Sequence, residues 1–223
     1  MEQNAAITVK NVTMKFKGQV VLNDISIDFE MGKIYGIIGR NGSGKTVLLK
    51  CICGLLLPTS GTVTVNDKII GKDVDFPENT GFIIENPAFL QNYSALKNLK
   101  YLASIKGKID EQTIRTFIKL VGLNPDDKKA VGKYSLGMRQ RLGIAQALME
   151  NPDIIILDEP MNALDNVGVD EIRQVILKMR DRGKLIIIAS HIREDIELLC
   201  DNVYEMNAGQ IKEATLDIFP YFT

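Results

Sequence analysis

Residues 39–46 constrain the fold of this chain more than any other segment. Their sequence, Gly-Arg-Asn-Gly-Ser-Gly-Lys-Thr, fits the phosphate-binding pattern G-x-x-x-x-G-K-[ST]. The pattern needs an apolar strand before it and a helix after it, and residues 33–39 and 44–53 predict both. Glycines let successive main-chain N–H groups turn toward a phosphate, and the amino terminus of the helix adds partial positive charge.

We therefore predict a nucleotide-phosphate site in this phosphate loop, residues 39–46. Lys45 would reach the β- and γ-phosphates, and the Thr46 hydroxyl would bind Mg²⁺. A glycine-rich turn that ends in Lys-Thr by chance is the alternative. The loop alone does not separate a kinase, a GTPase and an ATPase. The predicted nucleotide-binding residues are Gly39, Arg40, Asn41, Gly42, Ser43, Gly44, Lys45 and Thr46.

The hydrophobic pattern predicts strands first, then helices, then both in alternation. Apolar and polar residues alternate through residues 7–29, as in half-buried antiparallel strands. From residue 94 to residue 150 the period lengthens to about 3.6, which indicates helices. Short apolar strands at 154–157 and 185–189 then alternate with helices, as in a parallel sheet wrapped by helices. We expect one α/β domain over residues 1–223, with an antiparallel β subdomain and a helical insertion over residues 86–150.

Charge and composition argue against several classes of protein. The formal net charge is −1, so no broad positive potential attracts nucleic acid, and we expect no nucleic-acid partner. Three cysteines do not read as a disulfide framework and suit a reducing compartment. The first residues lack the features of a signal peptide, and no apolar run approaches the ~18 residues that span a bilayer. If the protein serves transport, the channel is on another chain.

Acidic residues and the single histidine follow predicted buried strands. Asp158 and Glu159 follow the strand at 154–157, and His191 follows the strand at 185–189. The carboxyl ends of parallel strands meet in the ligand crevice, beside the phosphate loop. Asp158 is a candidate for a water-mediated Mg²⁺ contact, and Glu159 for the group that orients or deprotonates the attacking water. Two solvated acids at the end of a strand, and a structural histidine, are the alternatives.

Residues 134–141, the signature segment, read Tyr-Ser-Leu-Gly-Met-Arg-Gln-Arg. Ser135 is a predicted N-cap, so its hydroxyl and the helix amino terminus could form a second anion site. In its order along the chain, this segment resembles the signature of ABC transporter nucleotide-binding domains, usually LSGGQ followed by Gln-Arg. The resemblance covers nearly the whole chain. It retains Ser135 and Gly137, which would contact phosphate, and departs at Tyr134, Leu136 and Met138.

Further positions match this family. Phe16 matches the aromatic residue that stacks on adenine, the alternative being a strand core residue. Residues 162–165 resemble the D-loop, and His191 matches the switch histidine that contacts the γ-phosphate. Glu85 stands where the family has the Q-loop glutamine, so its role as a metal contact and as a sensor of the permease is open. Residues 85–87, Glu-Asn-Pro, together with the signature segment, resemble the branch that exports bacitracin and lantibiotics.

The resemblance implies a P-loop NTPase core of the RecA type and hydrolysis of ATP with Mg²⁺. Two copies, or this chain and a near relative, would pack head to tail as a homodimer or heterodimer. Each ATP would lie between one chain's phosphate loop and the other's Ser135 and Gly137. The subunit would energise a separate transmembrane permease from the cytoplasmic face of the membrane. A soluble ABC ATPase outside transport is the main alternative, and a P-loop kinase of small molecules or a pure scaffold is a further one.

Overall fold

Two β-sheets organise the computed structural model, which describes residues 5–85 and 87–214. Residues 1–4, on which the expectation about a signal peptide depends, Asn86 of the 85–87 segment, and residues 215–223 lie outside the described part. The larger sheet has the order β10-β9-β3-β8-β7-β6, and β3, β6, β7, β8 and β9 run parallel. Its strands are β3 (Ile34–Ile38), β6 (Thr80–Ile83), β7 (Ile154–Asp158), β8 (Leu185–Ala189), β9 (Asn202–Asn207) and β10 (Gln210–Ala214).

The central strands of this sheet are buried on both faces. Every residue of β3, β7 and β8 is buried, which explains their continuous apolar sequences. Successive side chains enter different cores: Ile154 and Ile156 join one hydrophobic cluster, whereas Ile155 and Leu157 join the other. The sheet therefore separates two cores, and the predicted parallel sheet wrapped by helices is confirmed.

A smaller antiparallel sheet covers one of these cores. Its order is β2-β1-β4-β5, and in the β1–β2 pair Ile7 lies opposite Phe29 and Val9 opposite Ile27. These apolar residues share a core with helix α1 and one face of the larger sheet, as the predicted alternation requires. The strands are β1 (Ile7–Phe16), β2 (Gln19–Phe29), β4 (Ser60–Val65) and β5 (Lys68–Ile69), and α1 is Lys45–Ile52.

Among the described residues, three α-helices lie between β6 and β7: α2 (Ala95–Lys106), α3 (Glu111–Leu120) and α4 (Leu136–Leu148). Each begins at a side-chain cap, because Ser94, Asp110 and Ser135 accept hydrogen bonds from N–H groups three residues later. Helix α3 packs through Ile114 and Ile118 into the core that also contains Ile155 and Leu157. The remaining helices are α5 (Asn166–Asp181) and α6 (Arg193–Leu199), and a 3-10 turn spans Val131–Lys133.

Candidate functional site

The phosphate loop joins β3 to α1 and has the backbone that its glycines predict. Gly39, Gly42 and Gly44 all have positive φ, of 154°, 81° and 111°. A Cβ atom on Gly39 would lie 2.3 Å from the main-chain oxygen of Met206 on β9, which leaves no room for a side chain. The loop therefore packs directly against the main chain of β9.

Lys45 and Ser43 offer polar groups inside this loop. Lys45 is buried, and its Nζ donates to the carbonyl oxygens of Gly39, at 2.7 Å, and Arg40, at 3.3 Å. Within the described residues it forms no ion pair. The Ser43 Oγ is buried and has no hydrogen-bond partner among those residues. A buried ammonium without a carboxylate and a hydroxyl without a partner fit a site for phosphate oxygens.

Two oxygen groups suited to Mg²⁺ lie side by side at the mouth of the loop. The Thr46 hydroxyl donates to Asp158 Oδ2 at 2.7 Å, joining the first turn of α1 to the end of β7. Burial raises the pKa of Asp158, the Thr46 bond opposes this, and the nearby charge of Glu159 raises it further. In the described part of the chain no group of three or more His, Cys, Asp or Glu residues could hold a metal.

Glu159 and His191 meet at the ends of β7 and β8. The His191 Nδ1 lies 2.8 Å from Glu159 Oε2, across neighbouring strands. The Glu159 N–H donates to the Ala189 carbonyl at 2.8 Å, and Glu159 has a left-handed φ of 50°. Holding a non-glycine residue in this conformation costs about 1 kcal/mol or more, and such strain is common at functional sites. The predicted catalytic pair is thus brought into direct contact.

Gln140, to which the sequence assigned no role of its own, supports this segment. Its buried side chain donates from Nε2 to the carbonyl oxygens of Glu159, at 3.3 Å, and Pro160, at 3.2 Å. The sequence signal for it was only an uncharged polar residue one turn into a predicted helix, and an amide in that place needs partners once the fold buries it. Gln140 therefore links α4, which carries most of the signature segment, to the main chain that follows β7.

The signature segment lies against the D-loop. The Ser135 side chain caps α4 by accepting from the Met138 N–H at 3.1 Å, so the predicted cap is present. A Cβ on Gly137 would lie 2.6 Å from the Ala163 carbonyl oxygen, so this glycine allows close approach to the D-loop backbone. A cleft of about 230 Å³ is lined by phosphate-loop residues, Asp158 and Glu159, and neither Ser135 nor Gly137 lines it.

Glu85 and Phe16, two further predicted site residues, are not among the residues that line this cleft. Glu85 Oε1 accepts from Lys50 Nζ at 2.7 Å, so its side chain joins α1 rather than the pair of Thr46 and Asp158. Its charge nonetheless contributes to the raised pKa of Asp158. Phe16, the last residue of β1, is 42% exposed, so the alternative of a strand core residue is wrong.

The C-terminal hairpin also supports the phosphate loop. The turn between β9 and β10 contains Asn207, Ala208 and Gly209, and the Gly209 N–H donates to the Ser43 carbonyl at 3.1 Å. The Gly209 carbonyl in turn accepts from the Asn23 N–H at 2.8 Å. The turn was predictable from its sequence, whereas its contact with a loop more than 160 positions earlier was not.

Comparison with known proteins decides the family. The sequence profile of the ABC transporter family matches residues 22–162, which include the phosphate loop, the signature segment, Asp158 and Glu159. The chain belongs to this family. The resemblance found in the sequence is confirmed, and this ABC ATP-binding subunit hydrolyses ATP to energise a separate permease.

The relatives of this subunit include ATP-binding proteins named for transport. An uncharacterized ABC transporter ATP-binding protein of Bacillus subtilis, YybJ, is 46% identical over 96% of this chain and 98% of its own length. The bacitracin transport ATP-binding protein BcrA of Enterococcus faecalis is 38% identical over 93% of this chain and 68% of its own. The lantibiotic transport ATP-binding protein SrtF of Streptococcus pyogenes is 36% identical over 92% of this chain and 88% of its own length. Such relatives do not favour the alternative of an ABC ATPase outside transport.

Solved structures confirm the fold. CbiO1 of Clostridium perfringens, part of an ABC transporter complex, superimposes with a TM-score of 0.81 at 26% identity, covering 97% of this chain and 91% of its own. An ATP-binding cassette in a dimeric post-hydrolysis state with ADP and Pi superimposes with a TM-score of 0.85 at 24% identity, covering 94% of this chain and 98% of its own. In the described part of this subunit, no helix is both long and apolar enough to cross a membrane.

Proposed function

We propose that magnesium-ATP binds in the cleft formed by the phosphate loop, Asp158 and Glu159, and that hydrolysis there drives a permease. One observation carries the proposal. The groups suited to phosphate, to Mg²⁺ and to the attacking water converge where β3, β7 and β8 end. Their convergence is what phosphoryl transfer to water needs, because this reaction depends on positioning and electrostatics rather than on covalent chemistry.

The phosphate loop would bind the triphosphate through its main-chain N–H groups and through Lys45. The Lys45 ammonium, held by two carbonyl oxygens, would exchange these for β- and γ-phosphate oxygens. Magnesium, when bound, would neutralise phosphate charge and would be held by Thr46 and, through water, by Asp158. Glu85 would reach a metal-bound water only by leaving Lys50, so it is the weakest of the proposed metal contacts.

Glu159 would accept a proton from the attacking water, and His191 would contact the γ-phosphate. The hydrogen bond between these two side chains keeps both at the same end of the cleft. Phe16, exposed at the end of β1, would stack on the adenine ring.

A second ATP-binding chain would complete the site. Ser135 and Gly137 do not line the cleft of their own chain, and Ser135 is exposed at the amino terminus of α4. We therefore propose that each contacts the nucleotide of a partner, in a homodimer or in a heterodimer with a related chain. Closure would desolvate the γ-phosphate between two anion sites.

The cargo we propose is a peptide antibiotic, and the direction is export. The relatives named for bacitracin and lantibiotic transport support this choice. The subunit would work at the cytoplasmic face of the membrane, bound to its permease. Expression with a candidate permease should raise the bacitracin or lantibiotic concentration that stops growth, and Lys45→Ala should abolish the gain. Equal sensitivity with and without the active subunit would contradict this cargo.

The substitution Glu159→Gln tests the catalytic assignment. It keeps the side-chain shape but removes the base, so turnover should fall about 10²- to 10⁴-fold while ATP still binds. ATP should then trap a dimer that is visible by size-exclusion chromatography. Glu78→Gln, at an exposed residue paired with Lys68, is the matched control and should behave as the parent. Parental ATP turnover in Glu159→Gln would refute the role of Glu159, and undiminished turnover in Lys45→Ala would refute the phosphate-loop assignment.

A further inference from the structure

A buried arginine joins the helix that follows the D-loop to the helix that follows His191. Arg173 on α5 and Asp195 on α6 are 8% and 1% exposed. The Arg173 guanidinium donates to Asp195 Oδ1 from Nε at 2.9 Å and from Nη2 at 2.7 Å. A rigid planar guanidinium can make this two-pronged contact, whereas a lysine ammonium cannot. The contact fixes the first turn of α6 relative to α5.

Both helices open next to the catalytic segments. Asp165, the last residue of the D-loop, caps α5 by accepting from the Gly168 N–H at 3.0 Å. Helix α6 begins two residues after His191, and Asp195 lies on its first turn. A displacement of Asp195 is therefore passed to His191 through about one helical turn of backbone.

The first turn of α6 is open on the side that faces the D-loop. A cavity of about 550 Å³ lies between the D-loop and the start of α6, and Asn162, Leu164, Arg173, Ile192 and Asp195 are among its lining residues. The His191 side chain is 57% exposed, so few neighbours restrict it. On this open side Arg173 links α5 to the first turn of α6, because it donates to Asp195 and also, from Nη1 at 3.3 Å, to Glu194.

The ion pair is also poorly optimised for stability. Asp195 uses one oxygen for both bonds to Arg173, and its buried Oδ2 has no hydrogen-bond partner within the described residues. Burial raises the pKa of the Asp195 carboxyl, and the charges of Glu194 and Glu159 add to this rise against the opposing effect of Arg173. Buried ion pairs of this kind are often no more stable than apolar replacements, so a role in stability alone explains this one incompletely.

We propose that Arg173 and Asp195 are positioning residues for ATP hydrolysis. They hold α6 so that His191 Nδ1 stays within hydrogen-bond distance of Glu159 Oε2, 2.8 Å away. Neither side chain touches the reacting atoms. This inference rests on the proposed roles of Glu159 and His191.

The test is Asp195→Asn, which keeps the shape of the side chain and removes its charge. We expect kcat to fall about tenfold to a hundredfold, as for a small misplacement of a reacting group, with the KM for ATP changed by less than about twofold. His191 is the only histidine of the chain, so its imidazole ¹H–¹⁵N signal needs no assignment. That signal should shift in Asp195→Asn toward its position in Glu159→Gln, where the carboxylate partner is gone.

A double variant separates positioning from stability. Arg173→Met combined with Asp195→Leu removes both charges together and should restore most of the melting temperature that either single change loses. Its kcat should remain low, because the fixed geometry is not restored. Lys184→Met is the matched control: Lys184 is a largely buried cation that bonds Asp153 at 2.8 Å, before β7 and β8 rather than after them. It should lower the melting temperature and leave kcat and the histidine signal unchanged.

Two outcomes would overturn the inference. The first is an unshifted histidine signal and parental kcat in Asp195→Asn; the second is a kcat that recovers together with the melting temperature in the double variant. If Glu159→Gln loses turnover but Asp195→Asn does not, only this inference fails. Parental turnover in Glu159→Gln would refute the proposed function and this inference with it.

Discussion

Ser135 has two separable roles, and substitutions at this position can measure each of them. Its side chain caps α4 by accepting a hydrogen bond from the Met138 N–H. Ser135 is also exposed, and we propose that it faces the nucleotide of a partner chain. Ser135→Ala removes the cap, which costs about 1 kcal/mol. For a chain of this size the melting temperature should fall by about 2–4 °C. ATP-driven dimerisation should also weaken, because one phosphate contact is lost.

Ser135→Asp separates the two roles. Aspartate caps a helix as well as serine does, so the melting temperature should stay near that of the parent. A carboxylate about 4 Å from the triphosphate would repel it by about 1 kcal/mol in water and about 4 kcal/mol near a protein surface. Each altered site should then weaken the dimer by a factor between about five and about a thousand.

The assay is analytical ultracentrifugation with ATP, in a Glu159→Gln background that prevents turnover. Ser94 provides the matched control, since it caps α2 by accepting the Lys97 N–H at 3.4 Å and does not line the nucleotide cleft. Ser94→Ala and Ser94→Asp should leave dimerisation unchanged. An ATP-dependent dimer of parental affinity in Ser135→Asp would refute the reasoning, because no subunit arrangement that brings Ser135 to a phosphate tolerates that charge.

Three further predictions concern neighbouring groups. Gly137→Ala should displace the D-loop, since its Cβ would lie 2.6 Å from the Ala163 carbonyl oxygen, and should lower ATP turnover more than thermal stability; equal turnover would contradict this close approach. Glu85→Gln should retain turnover, and a double-mutant cycle with Lys50→Met should give a coupling of about 0.2–1 kcal/mol in unfolding free energy, since the pair is partly exposed; a coupling of zero would mean that the contact has no energetic weight. Burial raises the pKa of Cys51 to about 11, so at pH 8 only about one thiol in a thousand is the reactive thiolate, and iodoacetamide should label Cys51 only after unfolding; rapid labelling of the native protein would contradict the burial.

The sequence predicts individual elements well and their neighbours poorly. The apolar run at 154–157 identifies a strand buried on both faces, and the cap at Ser135 identifies the start of a helix, because both signals are local. The contact between Glu159 and His191 depends on β7 lying beside β8, and no residue pattern states that strand order. The sequence could bring these residues to one edge of the sheet but could not pair them.

The sequence also fails to predict side-chain contacts between residues that are distant along the chain. The family position of Glu85 left its role as a metal contact open, and in the structure its side chain bonds Lys50 on α1. Gln140 and Arg173 were recognisable as polar residues within helices, yet their importance comes from groups that the tertiary fold buries beside them. Burial and its hydrogen-bond requirements emerge only when the chain is folded.

The position of β3 in the sheet has a consequence for synthesis on the ribosome. Ile34 pairs with Ile186 and Tyr35 with Asn202, so both neighbours of the strand that leads into the phosphate loop are translated much later. Synthesis proceeds at about 5–20 residues per second, so roughly 8 to 30 seconds pass between the translation of β3 and that of β8, the earlier of its two neighbours. During that time its apolar sequence and unpaired main-chain groups are exposed to other chains. A nascent chain stalled before residue 185 should therefore contain the whole phosphate-binding motif, fail to retain ATP, and depend on chaperones to remain free of aggregates.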